Sequence, residues 1–199
     1  MIRHAARAVP WGTVVAACAI VPGLMAITAA WPETMWPLQG VSVGLLAAAA
    51  AWSMDERAAA VVDTLPRSLT WRTAARASCA VPLAAVWVAC LLVAGARLPD
   101  QLGVLLQQGA GALLLGIAVT TWRRARGAAT PAFTTAPGIL AVVAMLALVR
   151  PFPNVLALFP LWDPDEWALS AAIWWALLAA GAVLLAWSLR GSTYRPLAK

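Results

Sequence analysis

The stretch Leu38-Gln-Gly-Val-Ser-Val-Gly-Leu-Leu-Ala-Ala-Ala-Ala-Ala-Trp52-Ser53 runs without a charge into Asp55-Glu56-Arg57-Ala-Ala-Ala-Val-Val-Asp63-Thr-Leu-Pro66-Arg67-Ser-Leu-Thr-Trp71-Arg72-Thr-Ala-Ala-Arg76. The first run reads as a membrane-spanning helix. The second is the only long charged, amphipathic segment in the chain, and another apolar run follows it. Such an alternation fits a chain that crosses a bilayer repeatedly and keeps its charge at the surface.

Composition agrees. The chain has 199 residues, of which 63% are hydrophobic and 11% charged. A soluble domain carries about 25% charged residues, and a chain this short cannot hide so much apolar surface in a water-soluble core. With lipid as the solvent, each span needs about 20 mostly apolar residues. Six spans are expected, at roughly 9–30, 38–53, 78–94, 102–122, 135–149 and 164–189, with a surface loop at 54–77. All should be helical, because an unpaired backbone group in lipid costs several kcal/mol. No segment shows the ten-residue alternation of a barrel wall. The expected fold is therefore an all-α integral membrane domain.

The arginines set the expected orientation. With six spans, one side holds Arg3, Arg7, Arg57, Arg67, Arg72, Arg76, Arg123, Arg124, Arg126, Arg190, Arg195 and Lys199, which is 12 of the 14 basic residues. The other holds Arg97 and Arg150 with five of the eight acids, Glu33, Asp100, Asp163, Asp165 and Glu166. The positive-inside rule places both termini in the cytoplasm of a plasma-membrane protein. The net charge of +6 follows from this topology and gives no sign of a nucleic-acid partner. Trp11, Trp52, Trp71, Trp122 and Trp187 fall near the cytoplasmic boundary, and Trp31, Trp36, Trp162 and Trp167 near the outer one, as aromatic belts do. Trp87, Trp174 and Trp175 lie deeper and are expected to pack between helices or line a path. The N-terminus resembles a secretory signal, with Val15-Ala16-Ala17-Cys18 like a lipoprotein cleavage box. Its removal would leave five spans and reverse the charge logic, so it is read as the first span.

Motifs for chemistry are scarce. His4 is the only histidine, so a His/Cys metal site cannot be assembled. Cys18, Cys79 and Cys90 form no CxxC pair and read as small buried hydrophobes. No phosphate-binding GxxxxGK[ST] loop occurs. All eight carboxylates lie in loops or at span ends, whereas ion-coupled carriers place an Asp or Glu near mid-bilayer. That leaves an external ATPase as driving force, or no transport at all. Gln107 and Gln108, near the outer end of the fourth span, read as interhelical glue or as polar contacts for a substrate. Gly40 and Gly44, four apart in the second span, would let another helix approach closely.

The charged segment has its own logic. Asp55 and Glu56 suit a helix N-terminus. Val61, Val62, Leu65 and Leu69 can form an apolar stripe. Pro66 breaks that helix, Ser68 or Thr70 can cap a new one, and Arg72 and Arg76 share a face of it. The expectation is a short surface helix, a kink, and re-entry into the membrane.

Asp55-Glu56, Ala58 to Val62, Leu65-Pro66-x-Ser68, Arg72 and Ala75-Arg76 resemble the cytoplasmic loop between the second and third spans of type-2 ABC-transporter permeases. In that family the loop is a coupling helix that inserts into the ATPase subunit. The resemblance implies that Asp55, Glu56, Val61, Val62, Asp63, Leu65 and Arg67 make the coupling contacts. It also implies that ATP and magnesium bind a separate chain, with no cofactor on this one. A second permease, identical or homologous, would complete the translocation pathway.

Between the fifth and sixth spans, Arg150-Pro-Phe152-Pro-Asn-Val-Leu-Ala-Leu-Phe159-Pro-Leu-Trp162-Asp163 is too apolar for an ordinary loop and too short to cross. It reads as a re-entrant or interfacial helical hairpin at 150–163. Asp163, Pro164 and Glu166 match an N-cap, a first-turn proline and a capping-box acid. Type-2 exporters carry short outer helices here, which implies that Phe152, Phe159 and Trp162, with Gln107 and Gln108, belong to a gate or pathway. The N-terminal amphipathic stretch, Met1 to Val9, is short for the family. Two other readings compete with an exporter subunit: a non-transporting scaffold that docks a soluble partner through the same loop, and a lipid-modifying membrane enzyme, for which the spans supply no converging ionisable residues.

Overall fold

Among the residues described by the computed structural model, which are 9–55, 68–94, 101–150, 155–160 and 163–191, all regular structure is helical. The helices are α1 (Trp11–Ala30), α2 (Met35–Ser53), α3 (Leu69–Ala77), α4 (Ala80–Ala94), α5 (Leu102–Ala125), α6 (Pro131–Val149) and α7 (Pro164–Gly191). A single 3-10 turn, Pro32–Thr34, joins α1 to α2. With α3 and α4 taken together as Leu69–Ala94, six segments are long and apolar enough to cross a membrane. The chain is a multi-pass helical membrane protein.

A helix lies over each expected span, and some helix starts differ from the expected ones for local reasons. α6 starts at Pro131, four residues earlier than expected, because a proline at the first helical position loses no bond it needs. The Thr135 hydroxyl then donates back to the Pro131 carbonyl at 2.6 Å. The third span begins at Leu69 and is broken at Ser78-Cys79, where Cys79 N–H turns back to the Arg76 carbonyl at 3.1 Å. Of the two expected caps, Ser68 and Thr70, Ser68 caps α3, its Oγ accepting from Trp71 N–H at 3.3 Å. Asp163 starts α7, its Oδ1 accepting from Asp165 N–H at 3.0 Å.

Hydropathy ranks the helices by position in the bundle, in the inverse of the soluble order. The second and fourth spans have the lowest mean hydropathies, 1.2 and 1.8, and are the most buried, at 67% and 56%. The other four have 2.1 to 2.3 and are 17–28% buried. Lipid is as apolar as leucine, so burying leucine between helices gains little, and small or polar residues take the centre. α2 and α5 accordingly form the central pair. α6 and α1 flank α2, α7 flanks α5, and α4 lies beside α1. The outer helices turn Val15, Val93, Trp175, Val183 and Trp187 outward. Trp175, expected to pack inside, therefore faces lipid, while Trp87 and Trp174 are buried as expected.

Glycine makes the central contacts possible. A Cβ added at Gly116 of α5 would overlap the carbonyl oxygen of Ala47 and come within 3.2 Å of Ala51 N. Gly44 lies where a Cβ would sit 3.1 Å from Val143 Cγ1 of α6, and at Gly40 it would overlap Ala147 Cβ. The Gly40/Gly44 face thus receives α6, the close helical neighbour that its spacing invites. Gly116→Ala should destabilise the protein by about 1–3 kcal/mol, since backbone cannot yield as a side chain can. Gly138→Ala, whose new methyl would meet nothing within 4 Å, should cost nothing measurable. Melting both variants in detergent checks the pair; equal melting temperatures would refute the close approach of α2 and α5.

Candidate functional site

Two polar assemblies sit at opposite ends of this bundle. The first is buried about two turns in from the ends of α2, α5 and α7 that lie away from the arginine-rich side. Gln39 of α2 and Gln108 of α5 are 1% and 0% exposed. Gln39 Nε2 donates to Gln108 Oε1. Gln108 Nε2 donates onward to the Leu158 carbonyl at 3.2 Å and the Ser170 hydroxyl at 3.4 Å. The Leu158 carbonyl also accepts from Ser170 Oγ at 3.1 Å and from Trp174 Nε1 at 3.0 Å.

The order of donors is dictated by one group. A carbonyl only accepts, so Gln108 must turn its NH2 toward Leu158. Its own oxygen then faces α2, and Gln39 must answer with its NH2. Gln39 Oε1 is left buried with no hydrogen-bond partner among the described residues. Gln107 Oε1, one residue from Gln108, is likewise buried without one. Amides, a hydroxyl and an indole carry no proton that titrates near neutrality. The assembly can hold and orient polar groups but cannot relay protons.

The network exists because an irregular segment enters the bundle. Residues 155–160 form a turn at Val155 and bends at Leu158 and Phe159. These six residues therefore differ from the helical hairpin expected over 150–163. Non-helical backbone at membrane depth survives only when protein satisfies it, and the three donors to Leu158 do so. Phe159, 3% exposed, packs beside Gly40 and against Trp174, with ring centroids 6.2 Å apart. The base of the segment is tied by Arg150, whose guanidinium nitrogen lies 3.0 and 2.9 Å from the two carboxylate oxygens of Glu166. Glu166, expected as a capping-box acid, thus bridges the end of α6 to the start of α7. Phe152 and Trp162 lie outside the described residues.

The second assembly lies at the opposite, arginine-rich end, where the charged segment leaves and rejoins the bundle. Arg76 of α3 donates to the Asp55 carbonyl and, at 3.3 Å, to the Ser53 carbonyl. It thereby clamps the start of the third span to the end of the second. Asp55 Oδ1 accepts from Ala132 N–H at 3.4 Å. The Asp55 carboxylate therefore faces the start of α6, where a negative charge is favoured. Arg123 donates to the Thr134 hydroxyl and, at 2.9 Å, to that of Thr135, linking α5 to α6. Arg126 stacks over Trp122 and Trp187, 4.6 and 5.8 Å from the ring centroids, linking α5 to α7. Of the residues expected to make coupling contacts, Asp55 is at this joint. Glu56, Val61, Val62, Asp63, Leu65 and Arg67 lie outside the described residues, as does the Pro66 break.

A cavity of about 780 Å³ is a third feature and belongs to neither assembly. It is an apolar cleft between α1 and α4 lined by Pro22, Met25, Val86, Cys90 and Val93 among others.

Sequence reasoning singled out Gln107, Gln108, Phe159 and Asp55 but not Gln39, Ser170, Trp174 or Arg76 as their partners. Depth was the available signal: Gln39, Gln108 and Ser170 all fall five to seven residues in from their helix ends on the same side. Comparison of the chain with protein-family models, with curated proteins and with solved structures returns no match.

The amide pair makes a specific energetic prediction. Gln108→Leu strands the whole Gln39 amide in a dry interior and should cost about 1–3 kcal/mol. Gln39→Leu combined with Gln108→Leu removes both partners, and the Leu158 carbonyl keeps Ser170 and Trp174. The double variant should therefore melt above the Gln108→Leu single variant. Additive losses in that cycle would show that the amides do not interact.

Proposed function

We propose that this chain is the membrane subunit of an ATP-driven exporter of the type-2 ABC class, inserted in the plasma membrane with both termini in the cytoplasm. A separate ATPase chain binds ATP and magnesium, and a second permease supplies the other half of the pathway. The reading rests on the resemblance of 55–76 to a coupling loop and on one structural observation, the joint around Asp55 and Arg76. Whatever pushes on segment 56–67 pushes on Asp55 at one end and Ser68 at the other. Asp55 contacts α6, and Arg76 ties α3 to the end of α2. A load on the segment would reach three spans at once, which is what a coupling element must do.

The absence of carboxylates from the interiors of the spans supports the same reading, because it leaves the ion-coupled alternatives without their usual ligand. The buried amide network, with Gln107, Gln108 and Phe159, is the corresponding element at the other end. It closes the bundle there while remaining breakable, since an interhelical hydrogen bond in a membrane is worth about 0.6–2 kcal/mol.

Purification of the tagged chain in a mild detergent should bring down an ATPase subunit. Leu65→Asp should weaken that association on the order of tenfold or more, as loss of an interface anchor does, while leaving membrane insertion intact. Arg76→Leu should keep the ATPase bound and lower the hydrolysis rate of the complex. A complex without any nucleotide-binding subunit, or a Leu65→Asp variant with normal coupled hydrolysis, would refute the assignment. Capture of a different soluble protein would favour the scaffold.

A further inference from the structure

We propose that the apolar cleft between α1 and α4 holds the acyl tail of a phospholipid, drawn from the leaflet away from the arginine-rich end. This site does not depend on the exporter reading. Its volume of about 780 Å³ falls within the ~300–1,000 Å³ of pockets that bury most of a small ligand. The α1 wall runs from Pro22 to Ala29 and the α4 wall from Val86 to Ala94. Among these lining residues no side chain carries a nitrogen or an oxygen atom. The strongest hydrogen-bonding group they offer is the Cys90 thiol, which is weak, so a compact polar ligand would find nothing to orient it. Ala26, Ala89 and Val93 are exposed, Val93 at 87%, so the cleft opens sideways from the bundle. At membrane depth, what lies outside the bundle is hydrocarbon.

Length decides the occupant. From Pro22 to Ala29 is seven residue rises and from Val86 to Ala94 eight, so the walls are about 10–12 Å long. The hydrocarbon core of a bilayer is about 30 Å thick, or about 15 Å per leaflet. The cleft lies in the second half of both spans, Trp11–Ala30 and Leu69–Ala94, and no residue of either span before Pro22 or Val86 lines it. It is therefore confined to one leaflet. A spanning helix of a second copy would need a groove along the whole span. A lipid tail ends near the midplane, as the cleft does. Trp31, 56% exposed, follows α1 at the mouth, the level at which tryptophan meets headgroups. A tail between two walls makes dispersion contacts on both sides, whereas a tail on an open helix face makes them on one.

The test uses the full chain in nanodiscs of phosphatidylglycerol and phosphatidylethanolamine, doped with a phosphatidylcholine that carries a diazirine midway along one tail. After irradiation, labelled residues are located by peptide mass spectrometry. Met25, Cys90 and Val93 should be labelled at least about fourfold more than Val142 and Met145 of α6, the preference that one further buried methylene confers. Val142 and Met145 lie at a similar distance from the same end of the bundle and are 53% and 51% exposed, outside the cleft. Ala89→Phe fills the cleft from the α4 wall and should lower the labelling of Met25, on the other wall, about fourfold or more. Ala26→Phe fills it from the α1 wall and should do the same to Cys90 and Val93. Ala180→Phe, on an exposed face of α7, should leave all three labelled as in wild type. Melting temperatures of the three variants serve as the folding control. Three results would overturn the proposal. One is equal labelling of the cleft and of Val142 and Met145, which would make the lipid a passing neighbour. Another is unchanged labelling in both filled variants. The third is a short bifunctional thiol reagent joining Cys90 of two copies with loss of the lipid label, which would seat a second copy in the cleft.

Discussion

The structure depends on one constraint: inside a bilayer no solvent answers a polar group, so every amide, hydroxyl and irregular carbonyl must find its partner within the chain. Gln39 and Gln108 show the consequence. Each would be costly facing lipid, and together they join α2 to α5 and place those two helices at the centre. The small residues follow them inward, because Gly116 against Ala47 lets the two backbones come close enough for the amides to meet. The more apolar helices need no such partner and form the outer ring.

The same constraint shapes both ends. At one end an irregular segment enters the bundle, and its Leu158 carbonyl is met by Gln108, Ser170 and Trp174. At the other, arginines turn to the carbonyls of Ser53, Asp55, Ala128 and Ala129, groups that terminate helices or follow their ends. Helix C-termini carry partial negative charge, so arginine there serves both the unpaired carbonyls and the dipole. A basic surface of this kind is required by the helix ends before any partner is considered.

The two assemblies have different mechanical characters. The joint at Asp55 and Arg76 is built from charge-assisted bonds that hold helix ends together. The amide network is built from neutral bonds, and beside it two buried acceptors, Gln39 Oε1 and Gln107 Oε1, have no partner among the described residues. The two ends of the bundle are thus held together by bonds of different strength.

Much of this was legible in the chain. Apolar runs of the right length located six spans, and the break at the second and third spans was visible in Asp55, Ser68 and Arg76. Ser68 was a readable cap because its chemistry is local. The interior positions of Gln107 and Gln108 were visible too, since a glutamine amid leucines must be answered by something. The partners were not legible. Periodicity has no power to say that Gln39 faces Gln108, 69 residues away, or that Asp55 reaches Ala132 across 77. Trp174 and Trp175 are neighbours of identical type, and only the rotation of α7 sends one to Leu158 and the other to lipid. Sequence by itself determined how many helices are long and apolar enough to cross a membrane and at which end of the bundle positive charge gathers, because those follow from composition summed over twenty residues. The tertiary structure alone decided which helices touch, which way each amide turns and which of two adjacent tryptophans is buried, because those depend on contacts between residues far apart in the chain.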